Sequence, residues 1–289
     1  MIIARLMGGL GNQMFQYAAG RRLAATHGVE LKLDGSFFRT QEKRSFQLDR
    51  FNTKATLASE SEIAAFCDTS RRARIRRALF SAFRGRPMPR VFTEQEFTFD
   101  PSVLDASSET YLDGYWQSEK YFADVTDLLR TEFSLRTPPS AETSQLAAKI
   151  AATCAVSIHV RRGDYLQEVT NEHHGVCSLE YFTSAVETMQ KQVGSPNYVV
   201  FSDDPVWARE NLRFGPAMTF VERNGEDRDH EHLWLMSRCA HQIIANSSFS
   251  WWAAWLNPHA EKKVVAPRRW FATTSIETRD LCPPSWQLL

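Results

Sequence analysis

The first 34 residues restrict this chain most. Ile2–Met7 is a short apolar run broken by Gly8 and Gly9. Gln13–His27 then carries Met14, Tyr17, Ala18, Arg21 and Ala25 near helical spacing, with Gly28 as its stop, and Val29–Leu33 is a second apolar run ending at Asp34. Strand, glycine turn, helix and strand in so short a length leave few topologies open. The helix crosses back over the sheet, so the second strand must lie parallel to the first, and a parallel α/β sheet begins at the N-terminus.

The middle of the chain is less regular. Tyr111–Gln117 predicts a strand leaving into a turn, and Glu119–Phe133 a helix. Thr137-Pro138-Pro139-Ser140 resists helix and sheet alike and is the best linker in the sequence. Beyond it, strands at 155–160, 198–202, 218–221, 242–245 and 263–266 alternate with helices at 179–192, 205–211, 232–239 and 249–256, the pattern of a second doubly wound sheet. The expected division is therefore 1–138 and 139–289, two nucleotide-fold-like domains facing across a cleft. A length of 289 residues accommodates two cores without disulfides or metals.

Charge excludes some partners. Lys+Arg and Asp+Glu are equal at 34 each, so no overall field favours nucleic acid or membrane. Cys67, Cys154, Cys177, Cys239 and Cys282 are odd in number and scattered, which fits free thiols in a reducing compartment. The opening MIIARLMGGLGNQ breaks its apolar run at Arg5 and Gly8 and does not fit a secretory signal, and no stretch approaches ~20 apolar residues. The expectation is a soluble cytoplasmic protein.

Four stretches could carry chemistry. Gly8-Gly9-Leu10-Gly11-Asn12 joins the first strand to its helix, where glycines permit close backbone approach and the helix start offers free N–H groups. As a dinucleotide fingerprint it fails, since Met14 stands where the third glycine belongs, which also argues against an oxidoreductase. His159-Val160-Arg161-Arg162-Gly163-Asp164 ends a strand at the edge where open α/β sheets bind ligands. Its paired guanidiniums suit a pyrophosphate, although arginine also closes strand ends by pairing with carboxylates. Ser202-Asp203-Asp204-Pro205 offers carboxylates that could accept from guanine or cap the following helix. Asn246-Ser247-Ser248 precedes an aromatic helix whose positive end could hold phosphate. Trp251, Trp252 and Trp255, at helical spacing, read as core.

Metal readings are weaker. Asp227 and Asp229 form an Asp-x-Asp in a polar loop, and His173, His174 and Cys177, or His230 and His232, could ligate zinc, but neither group supplies four ligands at structural-site spacing. Arg71–Arg90 holds eight arginines and no acid, with Ile75, Leu79 and Phe83 four apart. It predicts a solvated basic helix or one lying on an anionic membrane or nucleic acid, and it motivates the alternative of a non-catalytic binding module.

Taken in order, GGLGNQMFQYAAG, GYWQSEKYF, HVRRGDY, FSDDPVWA and CAHQIIANSSFSWWAAWL resemble the bacterial α-1,2-fucosyltransferases of glycosyltransferase family 11. The resemblance implies two facing Rossmann-like domains of GT-B type, with the donor in the second. It implies an inverting, metal-independent transfer of L-fucose from GDP-β-L-fucose to the 2-hydroxyl of a galactose in an oligosaccharide or O-antigen-type glycan, with no cofactor. On this basis Arg161 grips the β-phosphate, His159 and Asp203 read guanine, and Ser247 and Ser248 hold phosphate oxygens. Arg162, Ser202 and Asn246 complete the donor side, and Gly11 and Asn12 lie near acceptor or pyrophosphate. Asp34, Asp164 and Glu168 are the candidate general bases, Asp164 also serving to orient the arginine. The acceptor would be galactose-terminated, and lipid-linked if the basic stretch meets the inner face of a membrane.

Overall fold

The computed structural model describes residues 1–41, 44–68, 70, 90–163, 175–215, 217–222 and 228–289. Among them the strands form two sheets, each wholly parallel. The first is built from β1 (Ile2–Arg5), β2 (Leu31–Asp34), β3 (Thr56–Leu57), β4 (Arg90–Thr93) and β5 (Thr110–Asp113) in the order β3-β2-β1-β5-β4. Its helices are α1 (Leu10–His27), α2 (Glu60–Cys67) and α3 (Thr126–Glu132). The second sheet is built from β6 (Ala155–Val160), β7 (Asn197–Ser202), β8 (Met218–Phe220), β9 (His241–Ile243), β10 (Val264–Ala266) and β11 (Gln287–Leu288), in the order β11-β10-β9-β6-β7-β8. Its helices are α4 (Ala141–Ala151), α5 (Leu179–Val193), α6 (Pro205–Asn211), α7 (Asp229–Arg238) and α8 (Ser248–Leu256).

The first strand–helix–strand unit forms as its pattern predicts. Helix α1 is buried along most of its length because small residues let it lie against the sheet: a Cβ on Gly20 would come within 2.8 Å of Leu31 and 3.0 Å of Ala4. It ends where Gly28 turns left-handed (φ 61°) and its N–H returns to the Ala24 and Ala25 carbonyls. In the second unit, Phe182, Ala185, Val186 and Met189 form the buried stripe of α5 over Val156, Ile158 and Val200 of the sheet. Trp251 and Trp252 are fully buried, and Trp255 stacks on Trp251, so the aromatic helix is core.

The predicted helix over 119–133 is broken. Two 3₁₀ turns, Glu119–Tyr121 and Ala123–Val125, precede the short α3, because Phe122 leaves helical geometry (φ −149°) and sets its ring 6.1 Å from that of Phe15. Strands β3, β4 and β11 and helices α2 and α4 carry no periodicity strong enough to predict. Both residues of β3 are exposed, and α4 buries only Thr143 and Ile150.

The chain clusters into two compact units, Met1–Arg136 with Arg279–Leu281, and Thr137–Thr278 with Cys282–Leu289. A single cut at 138/139 misses the return of the chain to the first unit. There the Asp280 carboxylate accepts from the Phe99 N–H (3.1 Å) and pairs with Lys120 (2.5 Å). Among the described residues no helix is long and apolar enough to cross a membrane.

Candidate active site

In the second sheet the winding reverses at β6, which has β7 on one side and β9 on the other. Ligands in open α/β sheets bind at the carboxyl ends of the strands flanking such a reversal. Residues 159–163 leave β6 there, Ser202–Asp204 leave β7, and 244–248 connect β9 to α8. Three of the four predicted motifs thus converge on one edge.

His159 is 5% exposed, its ring 5.6 Å from that of Phe249 in the first turn of α8, and its Nδ1 meets no partner among the described residues. Burial, with the nearby Arg161 and His232 charges, pushes its pKa down to about 3, so the ring is neutral at neutral pH. The Arg161 Nη1 lies 3.2 Å from the Asp203 carboxylate, with the arginine side chain partly exposed. At the start of α8, Ser247 occupies the cap position with no side-chain cap hydrogen bond. Ser248 is the first residue of the helix and is half-buried. The cation, the uncharged donor–acceptor ring and the positive helix end together suit an anionic ligand.

Other predicted donor residues prove to be built into the protein. Asp203 does not present a free edge to a base: its Oδ1 accepts the Arg162 N–H (2.8 Å) and its Oδ2 the Gly163 N–H (3.1 Å). Both oxygens are committed to the loop after β6, which makes Asp203 the clamp of that loop. Asp204 caps α6 by accepting from the Trp207 N–H (3.1 Å) and lies 3.4 Å from the Arg162 Nε. The Arg162 guanidinium stacks 4.0 Å from the Trp207 ring centroid, so it is held within the protein, away from the role predicted for it. Asn246 is also turned inward. Its amide donates to the carbonyls of Gly175 (3.2 Å) and Trp270 (3.0 Å), and its Oδ1 accepts from the Cys177 thiol (3.5 Å). The Ser202 hydroxyl accepts from the Asp204 N–H (2.9 Å) and keeps its own proton to donate.

The first sheet reverses at β1, between β2 and β5. Gly11 is buried in the first turn of α1. Asn12 accepts from the Gln117 amide (3.0 Å), tying the glycine loop after β1 to the turn after β5. Asp34, one of the candidate bases, is enclosed by the protein. It is 2% exposed, with Oδ2 accepting from the Tyr111 hydroxyl (2.6 Å) and Oδ1 from the Ser36 N–H (2.8 Å). A carboxylate so enclosed anchors the sheet edge.

Asp164, Glu168, Asp227, His173, His174 and the stretch 71–89 lie outside the described residues; Arg90 opens β4. Among the described residues no cluster of three or more His, Cys, Asp or Glu could hold a metal ion.

Comparison with known proteins gives this arrangement its family. The sequence pattern of Glycosyl transferase family 11 matches residues 91–288. The chain is 33% identical to an alpha-1,2-colitosyltransferase of Escherichia coli over 99% of its own length and 98% of that protein. The chain belongs to glycosyl transferase family 11. A second relative, galactoside alpha-(1,2)-fucosyltransferase 1 of Leontocebus fuscicollis, is 27% identical over 50% of this chain and 42% of its own. Among solved structures, the fold is similar to that of NodZ alpha-1,6-fucosyltransferase soaked with GDP-fucose. There the TM-score is 0.51 and the identity 16%, covering 89% of this chain and 92% of that one. The family pattern spans the whole carboxyl edge of the second sheet, whereas Gly11, Asn12 and Asp34 precede it. For this family 11 glycosyltransferase, the α/β fold with two parallel sheets expected from the sequence is the fold observed.

Proposed function

We propose that this chain transfers L-fucose from GDP-β-L-fucose to the 2-hydroxyl of a galactose residue, forming an α-1,2 linkage. Two relatives that move different sugars share the α-1,2 linkage in their names, which supports the regiochemistry. The observation that carries the donor side is the edge of β6, where Arg161, neutral His159 and the uncapped start of α8 meet at a reversal of winding. In the transfer, the bond from the sugar C1 to the β-phosphate oxygen breaks while the acceptor oxygen bonds C1 from the opposite face. A β-linked donor and an α-linked product make the transfer inverting. Arg161 takes up the negative charge developing on departing GDP. Asp203 holds the loop that presents it, and Ser247 and Ser248 with the α8 amides donate to phosphate oxygens. Asp164 and Glu168 are the side-chain candidates for receiving the hydroxyl proton. The guanidinium supplies the charge a metal would otherwise bring, so no cofactor or metal is required.

Release of GDP from GDP-fucose in the presence of lactose tests this, and EDTA should leave the rate unchanged. Absence of turnover across galactose-ended acceptors overturns the activity, and loss of rate on chelation would return Asp227 and Asp229 to consideration as metal ligands. The colitosyl relative favours a second donor. Colitose is fucose lacking the 3-hydroxyl, so competition between GDP-fucose and GDP-colitose decides between them. The acceptor is taken as a glycan, with no nucleic-acid partner. If Arg71–Arg90 meets the inner face of a membrane, as a peripheral cytoplasmic enzyme acting on a lipid-linked acceptor would require, flotation on anionic liposomes should enrich the protein.

A further inference from the structure

The turn after β5 is unusual. Trp116 has a left-handed backbone (φ 56°), alone among the described non-glycine residues. It is 2% exposed, and its indole N–H meets no acceptor among the described residues. Strain of this kind persists only where the surroundings impose it. Here the imposing group is Glu94, one residue past β4. Its carboxylate accepts from the N–H groups of Tyr115 (2.7 Å) and Trp116 (2.9 Å), while its own N–H donates to the Asp113 carbonyl (2.9 Å). A Cβ on Gly114 would run into Glu94 and Trp116, so the turn closes only with glycine there.

This scaffold leaves one large ring outward. Tyr115 is 37% exposed, and its backbone is pinned on the carboxyl side of β5. Beside it Asp113 pairs with Arg5 at 2.9 Å, both side chains partly exposed, at the ends of β5 and β1. Only Gly114 separates Tyr115 from Asp113 in the chain, so the ring follows the ion pair directly at the end of β5. Exposed ion pairs contribute little to stability, and the turn that buries Trp116 leaves Tyr115 at the surface. A flat ring beside one donor fork and one carboxylate is the chemistry that recognises a pyranose. The ring covers an apolar C–H face, the carboxylate accepts from vicinal hydroxyls and the guanidinium donates to ring or hydroxyl oxygens.

We propose that Tyr115, Asp113 and Arg5 form a sugar-binding subsite for the acceptor glycan on the first unit, with Glu94 as its positioning residue. The assignment rests on the transferase reading above and adds to it the surface that holds the acceptor sugar. Steady-state kinetics with lactose as the varied acceptor, beside calorimetric titration with GDP, test it. Tyr115→Ala should raise the KM for lactose about 10-fold, and Asp113→Asn should raise it comparably, with the Kd for GDP held within about twofold. Tyr115→Phe, which keeps the ring, should restore the KM to within about twofold of the original protein. An unchanged KM in Tyr115→Ala, with GDP still bound and lactose still turned over, overturns the subsite alone. A parent protein that neither binds GDP nor uses lactose overturns the transferase reading and the subsite with it. Loss of GDP binding in Tyr115→Ala would show that the turn serves folding, and also overturns the subsite.

Discussion

The two sheets solve the same structural problem and end in opposite chemistry. Each reverses its winding at its first strand, β1 in one and β6 in the other, and in each a carboxylate one residue past one strand clamps two consecutive amides in the loop after the adjacent strand, β5 in the first sheet and β6 in the second. Glu94, after β4, holds the amides of 115 and 116; Asp203, after β7, holds those of 162 and 163. The clamp at Asp203 also pairs with Arg161, so that loop presents a guanidinium. The clamp at Glu94 makes no ion pair among those observed, and its loop presents an aromatic ring and the neutral Gln117–Asn12 pair. A shared device thus holds a cationic edge suited to a diphosphate and a largely neutral edge suited to a glycan.

The largest effect is expected at Arg161. Arg161→Ala should lower kcat at least ~100-fold, the usual loss on removing one preorganised charge-stabilising donor, with circular dichroism and melting temperature retained. A loss below about fivefold would remove the asymmetry between the edges, and an unfolded variant would make the Arg161–Asp203 pair structural.

Removing each clamp in turn sharpens the contrast. Asp203→Ala leaves two loop amides without their acceptor and removes one partner of Arg161, and should weaken GDP binding about 10-fold or more. Glu94→Ala leaves two amides without theirs on the other edge, and should act on the KM for lactose while the Kd for GDP stays put. Titration calorimetry with GDP and initial rates with lactose separate the two. If both variants shift GDP affinity equally, the edges are not divided by ligand.

Much of the frame was legible in the sequence because it rests on local chemistry. Apolar runs, the stop at Gly28 and the linker prolines mark β1, α1, β2 and the change of unit without knowledge of distant partners. The edge of β6 was legible for the same reason, with motif and strand end adjacent. The capping box Ser59–Glu62 at the start of α2 is a local signal of the same kind. The side-chain roles were not legible, because they depend on partners far along the chain. Asp34 is enclosed by Tyr111, 77 residues away. Asp203 and Asp204 are neighbours with the same chemistry, and only the fold shows that one clamps a loop 40 residues upstream while the other caps α6. Asn246 turns inward because Gly175 and Trp270 offer carbonyls that no spacing rule foretells. Glu94 has no motif at all.

The smallest effect is the most discriminating, because the two edges should answer acid with opposite sign. His159 titrates at about 3 in the fold, chiefly because it is buried, against ~6.5 in an unfolded chain. Between those values the unfolded chain holds a proton that the folded protein does not. The contribution is therefore fully present above pH ~6.5 and declines below it, by at most ~1.4 kcal/mol per pH unit. Glu94 is shifted the other way. Burial raises its pKa against the opposing pull of two amide hydrogen bonds, so the folded protein holds the proton more readily than the unfolded chain. That contribution is present at low pH and lost as pH rises through the folded value, offsetting part of the acid loss at His159. Urea midpoints measured from about pH 7 down to about pH 4 should fall less steeply in His159→Gln than in the parent protein and more steeply in Glu94→Gln. Parallel profiles for all three would mean that neither buried group titrates as its surroundings dictate, and the electrostatic difference between the two edges would then reduce to Arg161 alone.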